Sequence, residues 1–305
     1  MIPPMPSRDA RPPPLAAGLL DSLQQYLRLR RLDRPSGMWL RLWPALWGLW
    51  VAAVGRPQPR IFAVMVLGVV VMRSAGCVIN DYADRDFDPR VARTRDRPLA
   101  SGRVSPAEAL VLFTALSLLA IALALMLDPL ARVLAVVGGL LTIVYPFMKR
   151  VIAAPQLVLG AAFGWSIPMA FAAETGAVPR LAWLMWLAVV VWALIYDTMY
   201  AMADRADDLR VGVKSTAILF GSADVFIVSL LMIVLLLGLA LVGHLAALGP
   251  WYFGSLPAAA ALLLRQRHLI AGRDPARCFQ AFLESHLVGA AVFAGILLDF
   301  TFRQA

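Results

Sequence analysis

Stretches of mostly apolar residues, each about as long as a bilayer is thick, recur along almost the whole chain: near 38–56, 60–80, 107–127, 131–148, 152–173, 181–203, 221–243, 248–264 and 284–301. A helix needs about 20 such residues to cross the hydrocarbon core. In that core only helices and closed barrels satisfy their own backbone, and these stretches are twice the length of a barrel strand. The sequence therefore predicts an all-α integral membrane protein, a bundle of nine transmembrane helices. The first stretch is the weakest, because Arg41 and Pro44 interrupt it. Only 15% of the 305 residues are charged and 61% are hydrophobic, against about a quarter charged in soluble domains. A soluble fold is excluded.

Short loops rich in Lys and Arg stay on the cytoplasmic side of a membrane. Most of the 28 Lys and Arg residues fall in the N-terminal tail, at 81–106, at Lys149–Arg150, at 204–216 and at 265–277. The N-terminus is expected in the cytoplasm. The net charge of +9 then reads as topology bias plus anionic partners at the membrane, with no nucleic-acid module among the motifs. Residues 1–17 are Pro-rich and expected to be disordered; "GLLDSLQQYLRLRRLDRP" spaces its leucines as an amphipathic helix lying in the interface. Residues 18–305 are expected to form one membrane domain. Cys77 and Cys278 lack metal-ligand spacing and read as small packing residues.

Two dense clusters of charge break the apolar pattern, "NDYADRDFDPRVARTRDRPLASG" from Asn80 and "DTMYAMADRADDLRVGVKSTA" from Asp197. Asn80, Asp84 and Asp88 are spaced i, i+4, i+8, which is one stripe of a helix. Tyr200, Asp204 and Asp208 repeat the spacing, with Asp197 and Asp207 near the same stripe. Asp86, about 200° around from Asp84, is expected to point away. Like charges at i, i+4 repel by a few tenths of a kcal/mol, and both clusters begin where an apolar run ends. A cation is needed to compensate them. Oxygen-only donors suit a hard ion, and Mg²⁺ binds through a few carboxylates while keeping other positions for water and phosphate. Two stripes face to face would hold a diphosphate through bridging Mg²⁺, with Arg73, Lys149, Arg150 and Lys214 as direct phosphate ligands. An arginine inside a span costs at least ~2.5 kcal/mol, which makes Arg73 and Arg41 functional candidates; for Arg41, snorkelling to the interface is an equal alternative. Ordinary solvated loop charge is the competing reading of both clusters.

These residues resemble the UbiA-type intramembrane prenyltransferases. "NDYADRDFD" is similar to their NDxxDxxxD motif and "DRADD" to their DxxxD motif. The segments "RTRDRPLASG", "YPFMKR", "PQLVLGAAFGWSIPMAFAAETG" and "GVKSTAILFG" resemble the 4-hydroxybenzoate polyprenyltransferase branch. The resemblance implies a nine-helix bundle around a cavity open to lipid. It places Asn80, Asp84 and Asp88 on one Mg²⁺ and Asp204 with Asp208 on a second, at the cytoplasmic end of a bacterial inner-membrane protein. Its partners are then a polyprenyl diphosphate and 4-hydroxybenzoate, the reaction belonging to ubiquinone biosynthesis. Arg73 and Lys149 join the four aspartates in catalysis, while Asn80, Asp81, Arg85, Arg150, Tyr200 and Lys214 contact substrate. Among these, Arg85 and Arg150 are the candidates for the benzoate carboxylate, and Tyr200 either orients a carboxylate, shields the cation or simply packs. Ala206 stands where relatives often carry another acid, and "ESH" at 284–286 replaces a more amide-rich stretch; both departures bear on metal affinity and remove no motif carboxylate.

Water would quench an allylic cation, so the cavity is expected to be dry. Trp165, Met169, Trp183 and Met185 are candidates to line it, or else lipid-facing anchors. Haem, menaquinone or homogentisate prenylation is the alternative among enzymes. A cation or phosphate transporter is the alternative class, disfavoured because transport needs ionisable groups near the bilayer midplane whereas the charge here gathers at one face.

Overall fold

The computed structural model describes residues 24–31, 36–86, 88–90 and 94–303, and among them it contains helices and no strand. The expected tail at 1–17 lies outside the described residues. A short helix at 24–29 precedes α1 (Ser36–Ala52), α2 (Pro59–Asp84), α3 (Pro106–Ala124), α4 (Pro129–Val151), α5 (Pro155–Gly164), α6 (Ser166–Thr175), α7 (Arg180–Val211), α8 (Thr216–Phe220), α9 (Asp224–Leu245), α10 (Pro250–Ile270) and α11 (Pro275–Phe302).

Start signals explain most of these bounds. Pro59, Pro106, Pro129, Pro155, Pro250 and Pro275 open their helices, where a missing N–H costs nothing and φ is preset. Ser105 forms a capping box with Glu108, its hydroxyl accepting from the Glu108 amide at 3.2 Å while Glu108 accepts from the Ser105 amide at 2.7 Å. Asp128 and Asp274 cap α4 and α11. Pro168 has no N–H to give to the Gly164 carbonyl, and α5 and α6 part at Trp165, just before it.

Seven stretches of described helix are long and apolar enough to cross a membrane: α2, α3, α4, α5 with α6, α7, α8 with α9, and α11. Nine were expected. Helices stand at all the expected positions, but α1 has only 17 residues, and α10 ends in the polar run Arg265–His268.

The core gathers on α7, whose Met185, Trp192, Tyr196 and Met199 are almost wholly enclosed. By contrast α3 buries only Ala109 and Leu116, and Leu118, Ile121, Val133, Val136 and Leu140 on α3 and α4 are exposed, as suits residues facing lipid. Helices approach closely where side chains are absent. At Gly160 a Cβ would stand 3.0 Å from the Val190 backbone of α7. At Gly289 of α11 it would meet Trp43 at 2.4 Å and Trp192 at 2.6 Å. Trp47 stacks on Trp192 at 5.4 Å and donates its indole N–H to the Gly289 carbonyl at 3.1 Å. This small-residue contact ties α1, α7 and α11.

Gly289→Val must push two tryptophans aside, at a cost of about 1–3 kcal/mol. Thermal unfolding in detergent is expected to show a clear drop in midpoint for Gly289→Val and almost none for Gly238→Val, whose position has open space. Equal midpoints would show that the junction is not tightly packed.

Candidate active site

A cavity of about 730 Å³ opens among α1, α2, α4, α5, α7 and α11. Asn80, Asp81, Asp84, Asp88, Arg73, Lys149, Tyr200, Asp204, Asp208 and Lys214 all line it. The two acidic clusters, separated by more than a hundred residues of chain, face one space. Arg85 and Arg150 do not line it. The Arg85 guanidinium stacks over Tyr82 at 4.5 Å and donates to the Tyr82 carbonyl; Arg150 donates to the Ala83 carbonyl.

The two stripes are built differently. α7 runs unbroken to Val211, so Tyr200, Asp204 and Asp208 share a helical face as the spacing predicts. Asp197 lines the cavity too, whereas Asp207 does not and instead pairs with Arg210 at 3.5 Å. The first stripe is shorter than expected. α2 stops at Asp84, and Asp88 stands on a separate 3₁₀ turn, Asp88–Arg90. Asp86 therefore does not point away through helical phase; it sits in the turn after α2 and is exposed. Asp88 returns to the cavity because Arg97 bonds its carboxylate at 2.7 Å and the Thr94 hydroxyl donates to its carbonyl at 2.9 Å.

Cations compensate the first cluster directly. Lys149 pairs with Asp84, to which the Asn80 amide also donates at 3.3 Å. One oxygen of Asp81, 1% exposed, receives Arg31 at 2.6 Å and Arg97 at 3.1 Å. Burial raises the Asp88 carboxylate above its ordinary range, with Arg97 opposing the rise and Asp84 and Asp81 adding to it. Burial works against the charge on Arg31, but Asp81, Tyr200 and Asp88 together outweigh it and Arg31 is held above its usual value.

Both arginines within apolar helices face the cavity. Arg73 donates from Nε to the Gly37 carbonyl at 3.1 Å, and the Arg41 guanidinium lies 4.0 Å above the Phe163 ring, which favours the functional reading of Arg41 over snorkelling. Lys214 is tied to the end of α4, its amide bonding the Lys149 carbonyl and its Nζ the Val151 carbonyl, each at 2.9 Å. Tyr200 packs 4.6 Å from Phe282. Tyr145, Phe163, Tyr196, Phe279 and Phe282 complete an aromatic wall. Trp165, Met169, Trp183 and Met185 take no part in it: Met185 is core and Trp183 is exposed within a Trp165–Trp183–Trp186 cluster.

Arg31, Arg97 and the aromatic wall were not singled out from sequence. Arg97 lies in the quoted "RTRDRPLASG", where nothing distinguishes one arginine from its neighbours until the chain folds back on Asp88. Among the described residues no three carboxylate, imidazole or thiol groups converge closely enough to hold an ion as they stand; Lys149 and Arg97 take the counterion positions. The donors themselves, an amide and four carboxylates bordering one cavity, are the hard oxygen ligands that suit Mg²⁺.

An all-helical membrane protein with acidic stripes meeting in one basic-rimmed cavity is the class that fold and site define. The chain matches the UbiA prenyltransferase family over residues 41–293 and belongs to that family. It is 55% identical over 281 residues to a 4-hydroxybenzoate octaprenyltransferase of Alkalilimnicola ehrlichii, covering 92% of this chain and 96% of that one. It is 55% identical over 275 residues to the protein of the same name from Methylococcus capsulatus, covering 90% and 94%. Among solved structures, an apo UbiA homolog from Aeropyrum pernix K1 superposes with a TM-score of 0.77 at 25% identity, covering 86% of this chain and 97% of that one. A UbiA homolog from Archaeoglobus fulgidus bound to GPP and Mg²⁺ gives 0.69 at 20%, covering 89% and 99%.

A carboxylate raised in the fold works against folding when ionised, and that cost fades as pH falls through its raised pKa. Arg97→Ala removes the main group holding Asp88 down. The melting midpoint is expected to fall at pH 8, from lost ionic hydrogen bonds worth about 1.5–3 kcal/mol, and the gap to wild type to narrow at pH 5. A gap that widens on acidification would contradict this electrostatic account.

Proposed function

We propose that this chain transfers a polyprenyl group from polyprenyl diphosphate to the carbon ortho to the hydroxyl of 4-hydroxybenzoate, in ubiquinone biosynthesis, with Mg²⁺ as cofactor. The observation that carries the reading is the meeting of both acidic motifs in one cavity rimmed by Arg73, Lys149 and Lys214, in a chain 55% identical over 281 residues to a 4-hydroxybenzoate octaprenyltransferase.

Asn80, Asp84 and Asp88 on one side and Asp204 and Asp208 on the other would hold Mg²⁺, which when bound neutralises charge growing on the departing diphosphate. Lys149 and Lys214 bond the diphosphate oxygens from the basic rim. As the allylic C–O bond breaks, the faces of Tyr200 and Phe282 stabilise positive charge on the prenyl carbon. The apolar helices exclude water, so that the phenol ring rather than water attacks. The ring then loses the proton from the attacked carbon to the released diphosphate and regains aromaticity. Arg85 and Arg150 stand away from the cavity, so the acceptor carboxylate falls to Arg41 and Arg73. Arg73 precedes Asn80 by two helical turns, about 10 Å along α2, which leaves the ring between carboxylate and reacting carbon.

The same reading takes all nine helical stretches as crossings, with the N-terminus and the acidic end in the cytoplasm, and sets the protein in a bacterial inner membrane. The concentration of Lys and Arg around the acidic end supports that orientation. Residues from 18 onward then form one prenyltransferase domain, its short N-terminal helix lying at the interface.

Purified protein incubated with 4-hydroxybenzoate, a polyprenyl diphosphate and Mg²⁺ is expected to give the 3-prenylated acid by mass spectrometry. EDTA abolishes the product and added Mg²⁺ restores it; full turnover in metal-free buffer would sink the metal assignment. Asp84→Asn and Asp208→Asn each reduce kcat by ~100-fold, the scale of losing one electrostatic stabiliser. Asp86→Asn, an exposed charge, is expected to lose less than about fivefold. If Asp86→Asn is as damaged as Asp84→Asn while still folded, the assignment of the first stripe is wrong.

A further inference from the structure

We infer that the ion triad Arg205–Asp224–Arg273 is a positioning device for the second acidic stripe, fixing from outside the cavity the metal affinity of Asp204 and Asp208; this rests on the metal-dependent reading of the site. Arg205 follows Asp204 directly in sequence, yet a step of about 100° around α7 takes it off the cavity lining. Its guanidinium reaches Asp224, the first residue of α9, whose carboxylate is 0% exposed. Arg273, from the loop between α10 and α11, bonds the same carboxylate through Nη2 at 2.8 Å and Nε at 2.9 Å. Arg205 also donates to the Ala217 and Gly221 carbonyls, and Arg273 to the Ser222 carbonyl at 2.7 Å. Two guanidiniums thus lock the end of α7 to α8, to the start of α9 and to the α10–α11 loop. That loop bends through φ 54° at Arg273, a left-handed conformation usually given to glycine.

The need for such a lock follows from where apolar packing ends. The buried residues of α7 stop at Met202, so the turns that carry Asp204 and Asp208 extend beyond the hydrophobic core. Past Met202 only partly buried residues such as Ala203 pack these turns against the core. A twist of the last turns would swing both carboxylates off the cavity, and the triad opposes it. The lock has an electrostatic effect as well. Arg205 is a cation next to a proposed metal ligand, and Asp224 holds it off the cavity lining.

The test uses the full chain purified in detergent, with Mn²⁺ as the probe and its binding followed by loss of the free-ion EPR signal, alongside Mg²⁺-dependent prenyl transfer. Asp224→Asn and Arg273→Gln are expected to weaken Mn²⁺ binding about tenfold or more, the usual scale for losing a group that orients metal ligands. The Mg²⁺ concentration for half-maximal activity should rise in parallel, and the KM for 4-hydroxybenzoate stay within about twofold of wild type. Arg273→Lys, which keeps the charge on Asp224, is expected to recover most of the affinity. Asp224→Asn leaves a buried site short of a charge and risks misfolding; Arg273 is 41% exposed, so Arg273→Gln serves as the variant that folds. Wild-type affinity in folded Arg273→Gln overturns the positioning role, as does an equal loss of metal and acceptor affinity. Absence of Mn²⁺ binding by the wild type overturns the metal-dependent reading itself.

Discussion

Carboxylates at the end of an apolar bundle cannot rely on bulk water for solvation, and the acidic end of this structure is organised by that fact. Asp81, Asp84, Asp88 and Asp224 are all buried, and each is held by a lysine or arginine from another part of the chain. Leaving one such group unpaired costs several kcal/mol. The pairings therefore dictate how the connections fold: the segment after Asp88 turns back to bring Arg97 home, and the N-terminal segment comes down to place Arg31. Irregular backbone gathers at this end because charge needs partners there.

At the other helical surfaces, buried Asp299 apart, shape takes over. α7 is enclosed by α1, α5, α9 and α11, with glycines at the closest approaches and large rings filling the spaces between. Outside, α3 and α4 present bare Leu, Ile and Val. In a bilayer apolar attraction gives little advantage to helix over lipid, so close packing and hydrogen bonds decide the association. The Trp47 indole bonded to the Gly289 carbonyl belongs to that economy of contacts.

Helix positions were legible because twenty-residue apolar runs and helix-opening prolines are strong local signals. The second stripe was legible for the same reason, since an uninterrupted helix preserves the i, i+4 phase from Tyr200 to Asp208. Phase failed at Asp88, because α2 ends four residues earlier at Asp84; Pro89, directly after Asp88, is a residue that disfavours a helical predecessor, and that local signal was present. Arg85 and Arg150 rest on the family resemblance, and a resemblance does not tell which side of a helix end a long side chain takes. Arg31 and the aromatic wall depended on contacts across fifty or more residues. No local pattern encodes those.

The break in α2 at Asp84 makes the two halves of the site mechanically unlike. One jaw is a continuous helix braced by an ion triad, and its two aspartates keep a fixed spacing. The other is jointed: Asp84 ends a rod, while Asp88 rides on a short turn that Arg97 and Thr94 hold by single bonds. A clamp with one rigid and one jointed jaw can follow a charged group whose size and position change as its bond to carbon lengthens and parts, without asking the membrane-embedded helices to move.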